Sequence, residues 1–260
     1  GAWKLIPDWL EERLPEIAWM GRQWDQLHVG LSLSQYMFTP EDITDPDPPP
    51  DDRPYAGWLN IGFRYYAKRG SILDAVELNV GWVGPGSIAE PTQKIVHELI
   101  DAPEPRGWDN QLKNEPTVNV YLEKKRRFSG TGSNSGWGTD AIIHYGAAIG
   151  NAHIYANAGI EVRAGYHLPL NFGSSMMRGA ASPPISFTEL SRAERNWRER
   201  LSVHVFAGVD GRAVVRNLFL DGNTFTDSRS VEKERLVGDL RVGAAAHFES
   251  FRFSWTMVYR

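Results

Sequence analysis

Apolar and polar residues alternate with period two along most of the chain. Residues 152–168 set Ile154, Ala156, Ala158, Ile160, Val162, Ala164, Tyr166 and Leu168 against Tyr155, Asn157, Gly159, Glu161, Arg163, Gly165 and His167. In 59–66, Leu59, Ile61, Phe63 and Tyr65 oppose Asn60, Gly62 and Arg64. In 75–82, Val76, Leu78, Val80 and Trp82 oppose Glu77, Asn79 and Gly81. Leu201, Val203, Val205 and Val209 oppose Ser202, His204 and Gly208; Leu240, Val242, Ala244 and Ala246 oppose Asp239, Arg241, Gly243 and His247. Near the end, Phe251, Phe253, Trp255, Met257 and Tyr259 oppose Arg252, Ser254 and Thr256. Alternation over such lengths places successive side chains on opposite faces of a strand, not along one stripe of a helix. It predicts ten strands, at 27–37, 55–67, 71–84, 115–128, 139–149, 152–167, 201–210, 212–221, 235–248 and 251–260. Tight turns are expected at Gly150-Asn151, Asp210-Gly211 and Glu249-Ser250. The whole chain, 1–260, reads as a single β-barrel domain, within which residues 1–25 are a helical or irregular segment with Trp9, Leu10, Leu14 and Ile17 on one side.

The polar face mixes opposite charges with glycine: Glu77, Glu161, Arg163, Asp239, Arg241, Arg252. A soluble sandwich turns its polar face to water, whereas a membrane barrel packs charges and glycines into its lumen and turns aliphatic side chains to lipid. Segments of this length suit the ~9–11 residues with which a tilted strand crosses hydrocarbon. Aromatic residues gather near strand ends (Tyr65, Tyr66, Trp82, Phe128, Tyr166, Phe248, Tyr259), as in an interfacial girdle. The fold class expected is all-β, an antiparallel transmembrane β-barrel with a short helix in an extracellular loop; a soluble barrel is the alternative. A net charge of −4 and a pI near 6.0 argue against a nucleic-acid partner. With no cysteine in the 260 residues, disulfides, thiolate metal sites and a cysteine nucleophile are excluded. No charged region followed by an apolar run opens the chain, so a processed or trimmed polypeptide is expected.

One connection stands out for its chemistry. Residues 85–114 are too long for a simple turn and contain helix signals, with Pro91 at the expected first helical position and Pro103 and Pro105 beyond its end. Ile95, Val96, Leu99 and Ile100 form an apolar stripe, and Gln93 and His97, four apart, share a face. A histidine held by a neighbouring carboxamide can serve as a general base; it can equally be a surface residue. Trp108, Asp109, Asn110, Gln111, Lys113, Asn114 and Glu115 then crowd polar groups into the return strand. No Gly-x-Ser-x-Gly elbow and no zinc-type His-Glu-x-x-His spacing occurs. His144, His204 and His247 fall on strands as polar lumen residues.

Several stretches resemble the outer-membrane lipid A 3′-O-deacylase family: Phe38-Thr39-Pro40-Glu41-Asp42-Ile43, Arg53-Pro54-Tyr55-Ala56-Gly57-Trp58-Leu59, Val83-Gly84-Pro85, Gln93-Lys94-Ile95-Val96-His97, the run from Gly107 to Glu115, and that from Phe219 to Phe225. The resemblance implies a twelve-stranded barrel in the bacterial outer membrane, with the active site between the barrel wall and a loop helix. It implies calcium as cofactor, His97 as the water-activating base and Gln93 as its neighbour. It further implies lipid A, or lipopolysaccharide, as substrate and outer-membrane lipids as surroundings, the barrel acting as a monomer. Arg53, Lys94, Arg106 and Lys113 are then candidates for lipid A phosphates, since guanidinium offers bidentate geometry. Asp109, Asn110, Gln111 and Glu115 are candidates for lining the site by position. The family's first two strands, which carry metal ligands, have no counterpart here, so ten of twelve strands are expected and the metal ligands stay unassigned. Two unpaired edges, at 27–37 and 251–260, should follow. The rival reading is an inactive or structural barrel, or a pore; bulky lumen pairs such as Glu161/Arg163 and Asp239/Arg241 argue for a filled interior.

Overall fold

The computed structural model describes residues 24–130, 136–173, 201–248 and 251–260. The expected helical stretch in 1–25 lies almost wholly outside these residues, as do most of the 168–200 connection and the turn at 249–250. Nine antiparallel strands form one sheet in chain order: β1 (Gln26–Phe38), β2 (Ala56–Arg69), β3 (Ile72–Val83), β4 (Glu115–Ser129), β5 (Trp137–Gly150), β6 (His153–Tyr166), β7 (Leu201–Asn217), β8 (Leu236–Phe248) and β9 (Phe251–Tyr259). Helix α1 (Ala89–Leu99) lies between β3 and β4, and the single turn α2 (Leu218–Asp221) follows β7. Among the described residues no helix is long and apolar enough to cross a membrane.

Among the described residues the count is nine strands rather than ten because 201–210 and 212–221 are not a hairpin. β7 runs straight through Asp210-Gly211, paired with Gly159 and Ala158 on one side and with Asp239 and Gly238 on the other. The Asp-Gly pair reads as a reversal, but the Asp210 carboxylate points inward and is held by His144 Nε2 at 2.6 Å. With that anchor and a neighbour strand on each side, the chain has no reason to turn. Residues 218–221 are helical, not the end of a strand. β1 and β9 each have one strand neighbour among the described residues, so the two expected edges are present.

Side-chain direction follows the alternation. Glu161 and Arg163 are 4% and 2% exposed, while Ile160 and Val162 are 39% and 49%. The sheet curls around its polar face, for groups on strands far apart in its order meet across the interior. Trp58 of β2 lies 5.7 Å, ring to ring, from His153 of β6 and 5.4 Å from Phe219. The rim carrying 39–55, 84–114 and 218–235 is closed by an apolar cluster of Trp58, Val83, Leu112, Leu218 and Phe219, with Tyr36 and Phe38 against it.

Further down, the interior holds charge. Asp140 accepts from Arg127 Nε and Arg163 Nε, each at 2.7 Å, and Arg163 also reaches Asn171. Lys125 donates to the carbonyl of Phe172, which is 3% exposed. The chain leaving β6 thus folds back inside at 171–172, and a charged lumen is tolerated because its members are paired.

Candidate active site

Helix α1 starts against the outer face of the wall at the β1–β2 rim. Tyr36 stacks on Trp58 inside, so by alternation Met37 and Gly57 face outward. Met37 packs with Tyr55, Ala89 and Trp108, and Gln35 Nε2 donates to the Ser87 carbonyl at 2.7 Å. A side chain at position 57 would collide with Ser87 and Ala89, so glycine lets the helix start come this close. The helix begins at Ala89, two residues before the expected start, with Ile88 in the left-handed region at φ 53. Pro91 is accommodated because an N–H in the first turn has no intrahelical acceptor.

The helix ends before either proline. Asp101 takes φ 53, Ala102 N–H donates to the His97 carbonyl at 2.9 Å and Asp101 N–H to that of Glu98 at 3.4 Å. This is a Schellman cap. It turns the chain so that the Pro103 carbonyl returns to the His97 ring, 2.6 Å from Nδ1. On the other side of the ring, Nε2 lies 3.4 Å from Gln93 Nε2. Gln93 Oε1 in turn accepts from the Trp108 indole N–H at 2.8 Å. Trp108 is 1% exposed, its ring 4.9 Å from Tyr55, whose hydroxyl donates to the Ile43 carbonyl. Burial pushes the Tyr55 phenol above its ordinary value, keeping it a donor.

A carbonyl only accepts, so His97 Nδ1 carries the proton and Nε2 offers its lone pair. The arrangement leaves Nε2 as the ring atom available to act as a base, on a half-buried imidazole. The apolar stripe does not pack against the barrel. Ile95, Val96, Leu99 and Ile100 are 58%, 45%, 79% and 67% exposed, so the helix turns its polar pair toward the loop and its aliphatic face away.

The other candidates separate. Lys94 is tied to Glu90 at 2.7 Å, which raises its pKa, and Arg106 lies 3.7 Å from Glu104; both pairs are on the surface. Asp109 is exposed, and Asn110 Nδ2 donates to the Pro46 carbonyl. Gln111 is half-buried, its backbone N–H on the Trp108 carbonyl. Lys113 N–H donates to Asn223 Oδ1 at 2.9 Å, and its carbonyl accepts from Asn223 Nδ2 at 2.8 Å. Glu115, 2% exposed, accepts from Asn151 and from Asn223, Thr224 and Phe225, so it anchors the 218–235 loop. Arg53 sits with its guanidinium 5.5 Å from the Phe38 ring centre, and burial lowers its pKa. Sequence reasoning passed over Trp108 and Asn223 as site-building residues. Their signal lay only in their donor and acceptor inventory, since the groups they hold are 15 and 108 or more residues away.

A curled antiparallel sheet with paired charges inside and aliphatic side chains outside defines an outer-membrane β-barrel, here with a histidine-bearing loop helix on its rim. The family model described as "Outer membrane protein LpxR" matches residues 4–260, and the chain belongs to that family. The protein is accordingly one of the outer membrane. Its fold is similar to that of LpxR from Salmonella typhimurium, with a TM-score of 0.72 and 20% sequence identity over 89% of this chain and 76% of that one. No curated protein matches the chain.

Proposed function

We propose that the protein is a lipid A deacylase that hydrolyses the 3′-linked acyloxyacyl ester in the outer leaflet, remodelling lipopolysaccharide at the cell surface. Family membership supports the enzyme class. The observation that carries the reading is the His97 ring, pinned through Nδ1 to the Pro103 carbonyl with its Nε2 lone pair left available. In the reaction, Nε2 takes a proton from water as the water oxygen bonds to the ester carbonyl carbon. The tetrahedral adduct collapses with cleavage of the bond to the sugar 3′ oxygen, and the proton on Nε2 passes to that leaving oxygen. A fatty acid and a free sugar hydroxyl result. The exposed aliphatic face of α1 suits acyl chains delivered from the membrane. Of the four candidate cations, Lys94 and Arg106 are already paired, which leaves Arg53, half-buried beside the Phe38 ring, and the exposed Lys113 side chain to meet a phosphate.

The resemblance also implies calcium. Among the described residues no three acidic or histidine side chains gather as a metal cluster. Oxygens near His97 are engaged: Gln93 Oε1 by Trp108, the Pro103 carbonyl by the ring itself. The described residues do not fit a calcium site, and the steps above use none. Calcium dependence is a separate proposal, checked by assaying the full-length protein with chelator and with calcium restored.

Mass spectrometry of lipid A after expression of the full-length gene tests the reaction. Loss of the 3′ acyloxyacyl mass is expected with the wild type and not with His97→Ala. An unchanged lipid A with inserted wild-type barrel would overturn it and leave the structural barrel as the reading. A pore is disfavoured by the aromatic closure at the rim and the ion pairs that fill the lumen wall.

A further inference from the structure

Trp108 makes a single side-chain hydrogen bond, from its only polar atom, and that bond ends on the amide beside His97. An indole N–H is a donor and nothing else. Gln93 must therefore turn its oxygen to Trp108, because the flipped amide would set two donors 2.8 Å apart. With the oxygen so committed, the amide NH2 faces His97 Nε2 at 3.4 Å. A donor facing Nε2 and a carbonyl facing Nδ1 select the same tautomer from opposite sides of the ring. The indole cannot swing away, being buried against Tyr55, while Gln111 N–H and Leu112 N–H pin the adjoining backbone to the Trp108 and Tyr55 carbonyls.

We infer that Trp108 is a positioning residue: its N–H locks the Gln93 amide with NH2 toward His97, keeping the Nε2 lone pair unprotonated and ready to release any proton it accepts. The inference rests on the reading of His97 as the base. Gln93 then does more than hold the ring. Its NH2 opposes an Nε2–H, so the proton taken from water is passed on to the leaving oxygen rather than retained.

The test compares wild type, Trp108→Phe and Gln93→Glu, each full-length and in detergent, by the pH dependence of kcat/KM on lipid A. That profile reports the protonation of the free enzyme. Phenylalanine keeps an aromatic ring against Tyr55 but frees the amide to present its oxygen to a protonated Nε2. The acid limb should move to higher pH, and kcat at neutral pH should fall by about tenfold, part of the ~10²–10⁴ that a general base contributes, with KM unchanged. Gln93→Glu places a carboxylate there and should move the limb further in the same direction. A Trp108→Phe enzyme slowed equally at every pH, with the acid limb in place, would overturn the inference and leave Trp108 as packing. Should Trp108→Phe fail to insert, Gln93→Glu still decides, since an unmoved limb would mean that the amide does not govern the ring. Nitrogen-15 NMR of labelled histidine reads the tautomer without turnover: a single Nδ1–H form is expected in the wild type and a mixture in Trp108→Phe. If His97→Ala retained deacylation, the base assignment would fail, while an altered tautomer in Trp108→Phe would still uphold the positioning contact.

Discussion

The barrel interior and the rim helix solve the placement of polar groups in opposite ways. Asp140 is held by two guanidinium groups, Arg163 reaches both Asp140 and Asn171, and His144 and Asn157 converge on Asp210. Asp140, Arg163 and Asp210 each have more than one partner, so losing one contact leaves the rest of the cluster buried and charged. Around His97 the hydrogen bonds form a line instead: Trp108 to Gln93, Gln93 to His97, His97 to Pro103. Redundancy makes the lumen a stiff filling. Among the described residues the line leaves Nε2 with one long contact, as a group that must exchange protons requires.

The sharpest way to break this contrast is His97→Ala. Deacylation should drop by ~10²–10⁴-fold, while heat-modifiable gel mobility stays that of the folded barrel. Wild-type activity should fall on acidification, since only neutral imidazole accepts a proton. Asp140→Ala should do the reverse. It strands two buried guanidinium groups, and the loss of about 3–5 kcal/mol expected for breaking a buried pair should appear as unfolding at lower urea, with turnover per folded molecule retained. Equal damage to activity from both variants would erase the distinction between the regions.

Glu115→Gln tests whether the carboxylate belongs to the site or to the scaffold. Four donors converge on it, so replacing one oxygen with NH2 should cost about 1.5–3 kcal/mol, as for bonds to a charged acceptor. The readout is faster proteolysis within 218–235 with KM for lipid A unchanged; a raised KM alone would return Glu115 to substrate binding. The smallest effect is expected at Ile88, where a β-branched residue occupies φ 53. Ile88→Gly should relieve a left-handed conformation costing roughly 1–2 kcal/mol, seen as slower hydrogen exchange along α1.

Much of the wall was legible in the sequence because inside and outside obey one rule. Ile160, Val162, Phe253 and Trp255 turn outward and Glu161 and Arg163 inward, as alternation requires. The rule failed where a local signal met a tertiary partner. Asp210-Gly211 carries turn chemistry, yet the His144 contact and pairing on both sides keep β7 extended. At α1 the aliphatic stripe lies open. A helix sequence cannot say whether its apolar side meets protein or lipid. The candidate site was half legible: Gln93 and His97 follow from helical spacing, whereas Trp108 reaches Gln93 only through the Schellman cap and the Gly107–Asn110 turn. Lys94 and Arg106 could be set apart from Arg53 and Lys113 only once Glu90 and Glu104 were seen to pair with them.

The open aliphatic face of α1 bears on how such an enzyme meets its substrate. A helix that rests on lipid rather than on protein works at a surface, where encounters are two-dimensional. Turnover should then scale with the mole fraction of substrate in the micelle or leaflet and not with its concentration in the bulk volume. Adding inert detergent at constant substrate would slow the reaction by surface dilution. In the cell, crowding of lipopolysaccharide in the outer leaflet would hold the enzyme near saturation, so that chemistry or product release, not delivery of the lipid, would set the pace.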